Sequence, residues 1–373
     1  MSKVKAAVML GPGKMEMREF DKPELGPDGI WLKVDYAGIC GTDKHSYQGH
    51  ASYNYPLVPG HEFVGTIAEI GPQANETMIV FGGPLKEGDR IAVAPGSKGC
   101  GRCWYCLNAP LRSTLCPNRF AYGFVNVDRP PHLWGGFAEY VYLNGSSWVF
   151  KLPDGMSSQI AALAEPTATA VRGLAKGFQP GIPLQGEGYG PNKSVVVLGA
   201  GPIGLLTIGV LRYTGAAKVI AVDVLESRLE LARKMGADEV IDARQTSFDE
   251  RLKMIRELTE GVGCDVLVEA AGVPSAFKEG LEFVRRGGVF LEVGHFTDPG
   301  AVEIHPFVIC NRDLTIHGSW GYPQLQFKDA LAFLKSTQAP VQDLITHVFP
   351  LDEAEKAVQI AGTEGTCKVL IKP

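Results

Sequence analysis

Four cysteines stand close together in the chain, at a spacing that suits a metal ion. Cys100, Cys103 and Cys106 form a CxxCxxC pattern, and Cys116 follows after nine intervening residues. Four thiolates in one glycine-rich loop can surround zinc tetrahedrally, in a closed site that fixes the loop rather than performing chemistry. We interpret the set as a structural zinc site; an iron–sulfur cluster and metal-free redox thiols are the alternatives. Basic residues close by in sequence would offset its negative charge: Lys98, Arg102, Arg112 and Arg119.

A second group of metal-ligand residues is dispersed along the first half of the chain. Cys40 lies in AGICGTDKH, and His61 and Glu62 lie in PGHEFVG. Glu165 follows in ALAEPTA. A thiolate, an imidazole and a carboxylate can hold zinc with one position open for water or substrate, although each residue alone has an ordinary structural explanation. Together they predict a catalytic zinc site.

A glycine-rich segment, GAGPIG, ends the apolar strand SVVVL and begins a helix. Gly199 permits the tight turn, Gly201 lets the backbone approach a pyrophosphate, and Gly204 lets the helix pack on the strand. Pro202 and Ile203 lie at the helix N-terminus, which would face the phosphates. The segment predicts dinucleotide binding; the alternative is a glycine turn in a ligand-free α/β domain.

The next strand, KVIAVD, supplies a carboxylate where a dinucleotide needs one. It ends in Asp223, 19 residues after Gly204. A carboxylate here accepts hydrogen bonds from the adenosine ribose and repels a 2′-phosphate, so NAD is favoured over NADP. Arg228, five residues further on, weakens that preference because an arginine can accommodate the phosphate.

These residues fall into two stretches of different secondary-structure pattern. From Val4 to about Tyr142, short apolar runs are split by Gly, Pro and Asp, which is typical of a mostly β domain with long loops. From Ser194 to about Glu292, strands alternate with helices, which predicts parallel βαβ units and a doubly wound sheet. Segment 178–192, rich in Gly and Pro, is predicted to be a surface loop between them.

Length and composition favour a two-domain protein without a nucleic-acid or membrane partner. The chain has 373 residues, more than the roughly 250–300 at which a single core splits. Its 45% hydrophobic and 21% charged residues exclude wholesale disorder, and a net charge of −5 gives no reason to expect nucleic acid or anionic membrane. Residues 194–211 are uncharged, but the glycines in their middle predict a strand, a turn and a helix rather than a membrane span. With neither a secretory nor a transit signal, we expect a cytoplasmic location.

Other residues receive more ordinary assignments. Cys264, Cys310 and Cys367 are expected to be buried thiols. His295, after the strand VFLEVG, is a candidate to approach the nicotinamide ribose. Aromatic residues are candidates for the wall of a substrate pocket: Tyr47, Phe63, Trp134, Phe296, Trp320 and Tyr322.

In their order along the chain, GICGTDKH, PGHE, the four-cysteine loop, AEPTA and GAGPIG resemble the zinc-containing medium-chain dehydrogenase/reductase family. The resemblance spans nearly the whole chain. It implies a GroES-like β-rich catalytic domain at residues 1–165, completed by residues 323–373, and a Rossmann cofactor domain at residues 166–322. It also implies two zinc ions, one catalytic and one structural, and a homodimer or homotetramer formed through the edge strands of the Rossmann domain.

The resemblance also assigns the ligands of the catalytic zinc. Cys40 and His61 match zinc ligands of the family, and Glu62 matches the neighbouring carboxylate that ligates zinc or exchanges with water. Glu165 is similar to the glutamate of the sorbitol and polyol branch. Either glutamate could complete the site.

Further assignments follow from the same resemblance. Thr42 is placed to accept the alcohol proton through its hydroxyl, and His45 would relay that proton through the cofactor ribose to solvent, since histidine titrates in the working range. The polyol branch has an arginine and a tyrosine after the cofactor domain. This chain keeps the tyrosine as Tyr322 but has Gly321 in place of the arginine.

We therefore expect a zinc-dependent oxidoreductase that transfers hydride between a secondary alcohol or polyol and NAD. A threonine- or sugar-type dehydrogenase, such as one for glucose, is the alternative within the family. Outside that activity, the chain could be a catalytically silent dinucleotide-binding protein or a zinc-free quinone reductase. The four-cysteine loop argues against the quinone reductase. The silent protein is disfavoured by four residues that occur together: Cys40, Thr42, His61 and Glu62.

Overall fold

The chain folds into two compact units. The computed structural model describes residues 3–51, 53–177, 189–190, 192–216 and 218–373, so most of the loop predicted at 178–192 lies outside the described residues. The first unit comprises Met1–Ala168, Tyr322–Lys335 and Ile345–Pro373, and the second comprises Thr169–Gly321 and Ser336–Leu344. The domain bounds expected from the sequence stay a prediction.

The amino-terminal part of the first unit consists mainly of β-strands joined by long loops. Its strands are β1 (Lys3–Gly11), β2 (Lys14–Asp21), β3 (Ile30–Gly38), β4 (Glu62–Ile70), β5 (Ile79–Phe81), β6 (Arg90–Ala94), β7 (Tyr140–Leu143) and β8 (Trp148–Lys151). Its helices are α1 (Gly41–Tyr47), α2 (Ala74–Thr77), α3 (Trp104–Asn108), the 3₁₀ turn Ser113–Leu115, α4 (Ser158–Ala161) and α5 (Ala164–Gly177), which continues into the second unit.

The second unit alternates strands and helices. Its strands are β9 (Ser194–Leu198), β10 (Lys218–Asp223), β11 (Glu239–Asp242), β12 (Cys264–Glu269), β13 (Val284–Glu292) and β14 (Thr315–Gly318). Its helices are α6 (Pro202–Tyr213), α7 (Glu226–Met235), α8 (Phe248–Leu258), α9 (Pro274–Phe283) and α10 (Phe307–Asn311). The last segment of the chain holds α11 (Leu325–Ser336), the 3₁₀ turn Val341–Leu344, β15 (Ile345–Pro350), the 3₁₀ turn Leu351–Glu353, α12 (Ala354–Ile360) and β16 (Lys368–Lys372).

The sheet of the second unit is parallel throughout its described pairings. Its strand order is β11-β10-β9-β12-β13-β14. In this doubly wound order the chain first adds strands on one side of β9 and then on the other side. The strands are short apolar runs because helices cover both faces of such a sheet. Val196, Ile220 and Leu267, for example, are fully buried. The crossover helices therefore bring all the carboxyl ends of the strands to one edge.

The first unit has a mixed sheet and a separate β1–β2 hairpin. The order of the sheet is β15-β16-β3-β4-β6-β8-β5, with β7 also paired to β3. The carboxyl-terminal strand β16 pairs with the end of β3, so the final residues of the chain return to the first unit. Trp31 of β3 is fully buried in its core.

Some local predictions were wrong. The segment SAFKEGLEFVRRG, whose pattern predicts a helix throughout, is helical only as far as Phe283, because Val284 adopts extended backbone and pairs with Cys264 as the start of β13. Cys310 is exposed rather than buried. It lies on the short helix α10, which packs Val308 against the core and so turns Cys310 outward.

Two of the aromatic pocket candidates are also wrong. Phe63 and Trp134 are 2% and 3% exposed and belong to the hydrophobic core of the first unit. They fill that core because β4 and the segment before β7 direct them inward. Within the described residues, no helix is both long and apolar enough to span a bilayer. Residues 194–211 form β9, the glycine turn and most of α6.

Candidate active site

Three of the dispersed ligand residues come together in the first unit. One ligand atom each from Cys40, His61 and Glu62 lies within 4.8 Å of the other two. β3 and β4 bring them together, because Gly38 at the end of β3 is paired with Glu62 at the start of β4. Gly38 also leaves room for the Glu62 carboxylate, since a Cβ at that position would overlap its Oε2.

His61 is buried with an unsatisfied ring nitrogen. The residue is 6% exposed, and its Nδ1 has no hydrogen-bond partner among the described residues. Asp43 Oδ1 lies 4.0 Å from that nitrogen. Burial opposes the charged imidazole, but the negative charges of Cys40, Asp43 and Glu165 outweigh it and raise the pKa of His61. A buried imidazole beside a thiolate and carboxylates suits a divalent cation, so this donor set fits zinc.

A lysine that the sequence analysis missed lies in the same group. Lys368 of β16 donates from Nζ to Glu62 Oε2 and to the Ile39 carbonyl, the latter at 3.0 Å. The Lys368 side chain is 2% exposed and that of Glu62 is 1% exposed. The available signal was a lysine inside the otherwise apolar closing strand, which a buried partner would explain.

Glu165 lies near this group, at the start of α5, without joining the 4.8 Å cluster. Burial raises the pKa of Glu165 to about 7, although the charge of His61 opposes that rise. Tyr322 is buried beside it: burial first, and then the charge of Glu165, raise the pKa of Tyr322 well above its usual value. The positive charge of Arg119 opposes this rise in the pKa of Tyr322.

The two predicted proton-transfer residues lie on α1. Thr42 Oγ1 is 3.5 Å from Cys40 Sγ. His45 Nδ1 is 3.2 Å from Nδ1 of the exposed His50, a neighbour that the sequence analysis did not single out. Burial, and then the charge of His50, lower the pKa of His45.

The four cysteines of the predicted structural site converge. Cys103 Sγ lies 3.5 Å from Cys106 Sγ and 3.8 Å from Cys116 Sγ, and Cys100 Sγ lies 4.0 Å from Cys106 Sγ. Four sulfurs around one tetrahedral zinc ion stand about 3.8 Å apart. These residues therefore fit zinc. Backbone N–H groups, that of Arg102 first, lower the pKa of Cys100 to about 6.

Two of the basic residues expected to offset these thiolates have other partners. The ammonium group of Lys98 donates to the carbonyl of Thr77. Arg119 interacts with Tyr322 as well as with Cys116.

The glycine turn of the second unit has the geometry that a dinucleotide requires. Gly199 has φ +90°, and a Cβ there would lie 2.6 Å from the Ala271 nitrogen. At Gly204 a Cβ would overlap the Gly199 carbonyl, so both positions need glycine. Gly201 faces open space, with no atom within 4 Å of a Cβ built there. α6 begins directly after it, and its free N–H groups are available to phosphate.

Asp223 is joined to this turn. Its Oδ2 accepts a hydrogen bond from the Ala200 N–H at 2.6 Å, and its Oδ1 accepts one from the Leu225 N–H at 2.9 Å. Arg228 of α7 has Nη1 4.0 Å from Asp223 Oδ2. The carboxylate is thus fixed at the carboxyl end of β10, next to the glycine turn.

Comparisons with known proteins agree with both units. Residues 26–154 match the family described as alcohol dehydrogenase GroES-like domain, and residues 202–336 match the family described as zinc-binding dehydrogenase. Sorbitol dehydrogenase from Bacillus subtilis is 31% identical over 362 residues, which is 96% of this chain and 93% of that protein. The chain belongs to the zinc-containing medium-chain dehydrogenase/reductase family.

Other members of this medium-chain dehydrogenase/reductase family show the same overall likeness. L-threonine 3-dehydrogenase from Idiomarina loihiensis is 33% identical over 355 residues, 94% of each chain. Among solved structures, an alcohol dehydrogenase from Thermotoga maritima has a TM-score of 0.91 and 30% identity over 100% of both chains. A zinc-binding dehydrogenase from Sinorhizobium meliloti bound to NADP has a TM-score of 0.86 and 30% identity, again over 100% of both chains.

The predicted family, the fold class and the alcohol or polyol dehydrogenase activity are confirmed at this level. This medium-chain dehydrogenase/reductase is a zinc-dependent oxidoreductase that acts on small molecules with a nicotinamide dinucleotide. The assignment of individual site residues stays a prediction.

Proposed function

We propose that this chain oxidises a polyol or another secondary alcohol with NAD, and that it holds one catalytic and one structural zinc ion. The observation that carries the proposal is the cluster of the half-buried Cys40 with the buried His61 and Glu62, and its unsatisfied His61 nitrogen. When bound, zinc lowers the pKa of a substrate hydroxyl as a Lewis acid, and the nicotinamide supplies the hydride chemistry.

The protein supplies the ligands and their orientation. We propose Cys40 and His61 as two ligands, with a glutamate as the third. The distance from Cys40 and His61 supports Glu62, whose Oε2 accepts a hydrogen bond from Lys368. Glu165 carries a raised pKa and would exchange with it, as the resemblance to the polyol branch implies.

The proton of the alcohol leaves by way of Thr42 and His45, both on α1, and of the cofactor ribose, as the resemblance implies. Thr42, close to the Cys40 sulfur, accepts the proton at its hydroxyl oxygen and releases its own hydroxyl proton to the next member of the relay. His45 takes the proton onward in its neutral form, which the lowered pKa keeps populated at neutral pH. His50, 3.2 Å away and exposed, passes it to solvent.

NAD rather than NADP is supported by Asp223. Its carboxylate is fixed at the end of β10 by two backbone N–H groups, where it would accept from ribose hydroxyls and repel a 2′-phosphate. Two observations favour NADP instead: Arg228 lies near Asp223, and the S. meliloti relative is bound to NADP.

A secondary alcohol or polyol is supported by the sorbitol dehydrogenase relative and by Glu165 with Tyr322. The L-threonine 3-dehydrogenase relative makes an amino alcohol the second candidate. A panel of secondary alcohols, polyols, sugars and L-threonine, tested on zinc-replete protein with NAD⁺ and NADP⁺ by absorbance of the reduced cofactor, separates them. The proposal requires turnover of a polyol or simple secondary alcohol with NAD⁺.

Metal analysis of the same sample completes the experiment. We expect about two zinc ions per chain, one of which is lost in Cys106→Ser. One zinc ion in the intact protein and no turnover of any alcohol would favour a silent dinucleotide-binding protein. Sedimentation velocity on this sample tests the expected homodimer or homotetramer.

A further inference from the structure

Two carboxylates and a histidine form a cluster in the second unit. The parallel strands β12 and β13 are paired so that their last residues, Glu269 and Glu292, lie opposite each other. His295 follows β13 by three residues. One ligand atom of each of the three lies within 4.8 Å of the other two.

His295 lies close to both carboxylates of this cluster. His295 Nδ1 lies 2.9 Å from Glu292 Oε1 and 3.4 Å from Glu269 Oε2. Nitrogen and oxygen ligands bound at about 2.1 Å stand roughly 3.0–3.4 Å apart. The shorter distance is that of a hydrogen bond, and both are close to the spacing that two ligands of one divalent ion would have.

The backbone fixes Glu269 so that one of its oxygens faces the cluster. Its Oε1 accepts hydrogen bonds from the N–H groups of Ala271 and Gly272, both at 2.9 Å. Its Oε2 is buried and has no hydrogen-bond partner among the described residues, and the side chain is 0% exposed. Gly294 makes this placement possible, because a Cβ there would overlap Oε2.

The charges of the cluster are not balanced by protein groups. In the described part of the chain, His295 is the only basic side chain within 4.0 Å of either carboxylate. Burial, and then the charge of Glu292, raise the pKa of Glu269 to about 8. Two carboxylates held this close require a proton or a cation between them. A divalent ion bound to both and to a neutral imidazole leaves no net charge to bury.

We propose that Glu269, Glu292 and His295 form a further metal site, for a divalent ion of the Mn²⁺ class. Two oxygens and one imidazole nitrogen suit such an ion, and they distinguish the site from the thiolate-containing clusters of the first unit. None of its ligands belongs to the zinc clusters, to the glycine turn or to Asp223. His295 is also the residue predicted to approach the nicotinamide ribose, so metal binding at this site is measured without the dinucleotide.

Mn²⁺ is a selective probe of this site in protein that metal analysis shows to hold two zinc ions per chain and from which free zinc has been removed, since the thiolate sites retain zinc. Titration followed by electron paramagnetic resonance should show about one tightly bound Mn²⁺ per chain in the wild type. Glu292→Gln, which keeps the size of the side chain, should weaken Mn²⁺ binding by at least about 10-fold. Asp298→Asn is the matched control: this exposed carboxylate lies three residues beyond His295 and should leave the affinity unchanged.

A second readout and a second variant protect the test against misfolding. Mn²⁺ should raise the Tm of the wild type and of Asp298→Asn, but not that of Glu292→Gln. If Glu292→Gln fails to fold by circular dichroism, His295→Gln takes its place with the same expected loss. The proposal is overturned if the wild type binds no Mn²⁺, or if the folded variant binds it as tightly as the wild type. A proton shared by the two carboxyl groups would then account for their proximity.

Discussion

Lys368 and Glu62 form an ion pair in the interior of the first unit, with side chains 2% and 1% exposed. Breaking a buried pair on one side leaves an uncompensated charge, which is far costlier than losing a surface pair. We expect Lys368→Met to lower the free energy of unfolding of the zinc-loaded protein by about 3–5 kcal/mol. Urea denaturation monitored by circular dichroism measures the change.

Lys372→Met is the matched control, since this lysine is exposed at the end of the same strand and should change stability by less than about 0.5 kcal/mol. The double variant Glu62→Gln/Lys368→Met should lose less stability than the sum of the two single variants, because neither partner is left charged and alone. Additive losses would show that the pair contributes no coupling.

Removing a predicted zinc ligand should separate chemistry from cofactor binding. Cys40→Ser keeps the size of the side chain but replaces the thiolate, so we expect turnover to fall by more than about 100-fold. NAD should still bind, since the glycine turn and Asp223 are in the second unit. Steady-state absorbance and a fluorescence titration with NADH measure the two properties. Cys310→Ser, at an exposed cysteine, is the control. Retained turnover in Cys40→Ser would contradict the ligand assignment.

The parts of this molecule that the sequence predicted are those governed by local pattern. The alternation of apolar strands and helices gives the parallel sheet, because each crossover must return the chain to the same edge. Gly199 and Gly204 were predictable because their backbone conformation and close contacts admit no side chain. The CxxCxxC loop was predictable because its ligands are adjacent in the chain.

What the sequence did not predict depends on residues far apart in the chain. Lys368 meets Glu62 only because β16 joins the sheet beside β3, a pairing that no local pattern specifies. Glu269 and Glu292 meet because their strands are neighbours in register. The aromatic residue Phe63 was assigned to a pocket although it fills the core, since aromatic type alone does not distinguish the two environments.

Asp223 should control the choice of cofactor. Asp223→Asn keeps an oxygen for the backbone N–H groups but removes the charge that repels a 2′-phosphate. We expect the ratio of kcat/KM for NAD⁺ over NADP⁺ to fall by about 10-fold, which corresponds to about 1.4 kcal/mol. Asp242→Asn, at the end of the neighbouring strand β11, is the control and should leave the ratio unchanged. If kcat/KM changes for neither NAD⁺ nor NADP⁺ in Asp223→Asn, the carboxylate does not bind the ribose.

The pH dependence of alcohol oxidation should report on His45. Only its neutral form can take up the substrate proton, so activity should fall on acidification through the pKa of His45. Burial and the charge of His50 lower that pKa, which places the acid limb below the ordinary range of histidine. His50→Gln removes one of the three causes, and we expect the limb to move to higher pH while burial and the charge of Lys44 keep part of the shift. His45→Gln should remove the limb and lower kcat by about 100-fold.

Profiles of kcat against pH, measured from acid to alkaline conditions in one substrate, test this relay. His305→Gln is the control, since this exposed histidine lies in the second unit and should leave the profile as in the wild type. Added imidazole should restore part of the activity of His45→Gln, because an external base can accept the proton that the missing side chain would have carried. An unchanged limb in both His45→Gln and His50→Gln would mean that the proton leaves by another route and that the 3.2 Å contact between the two rings is structural.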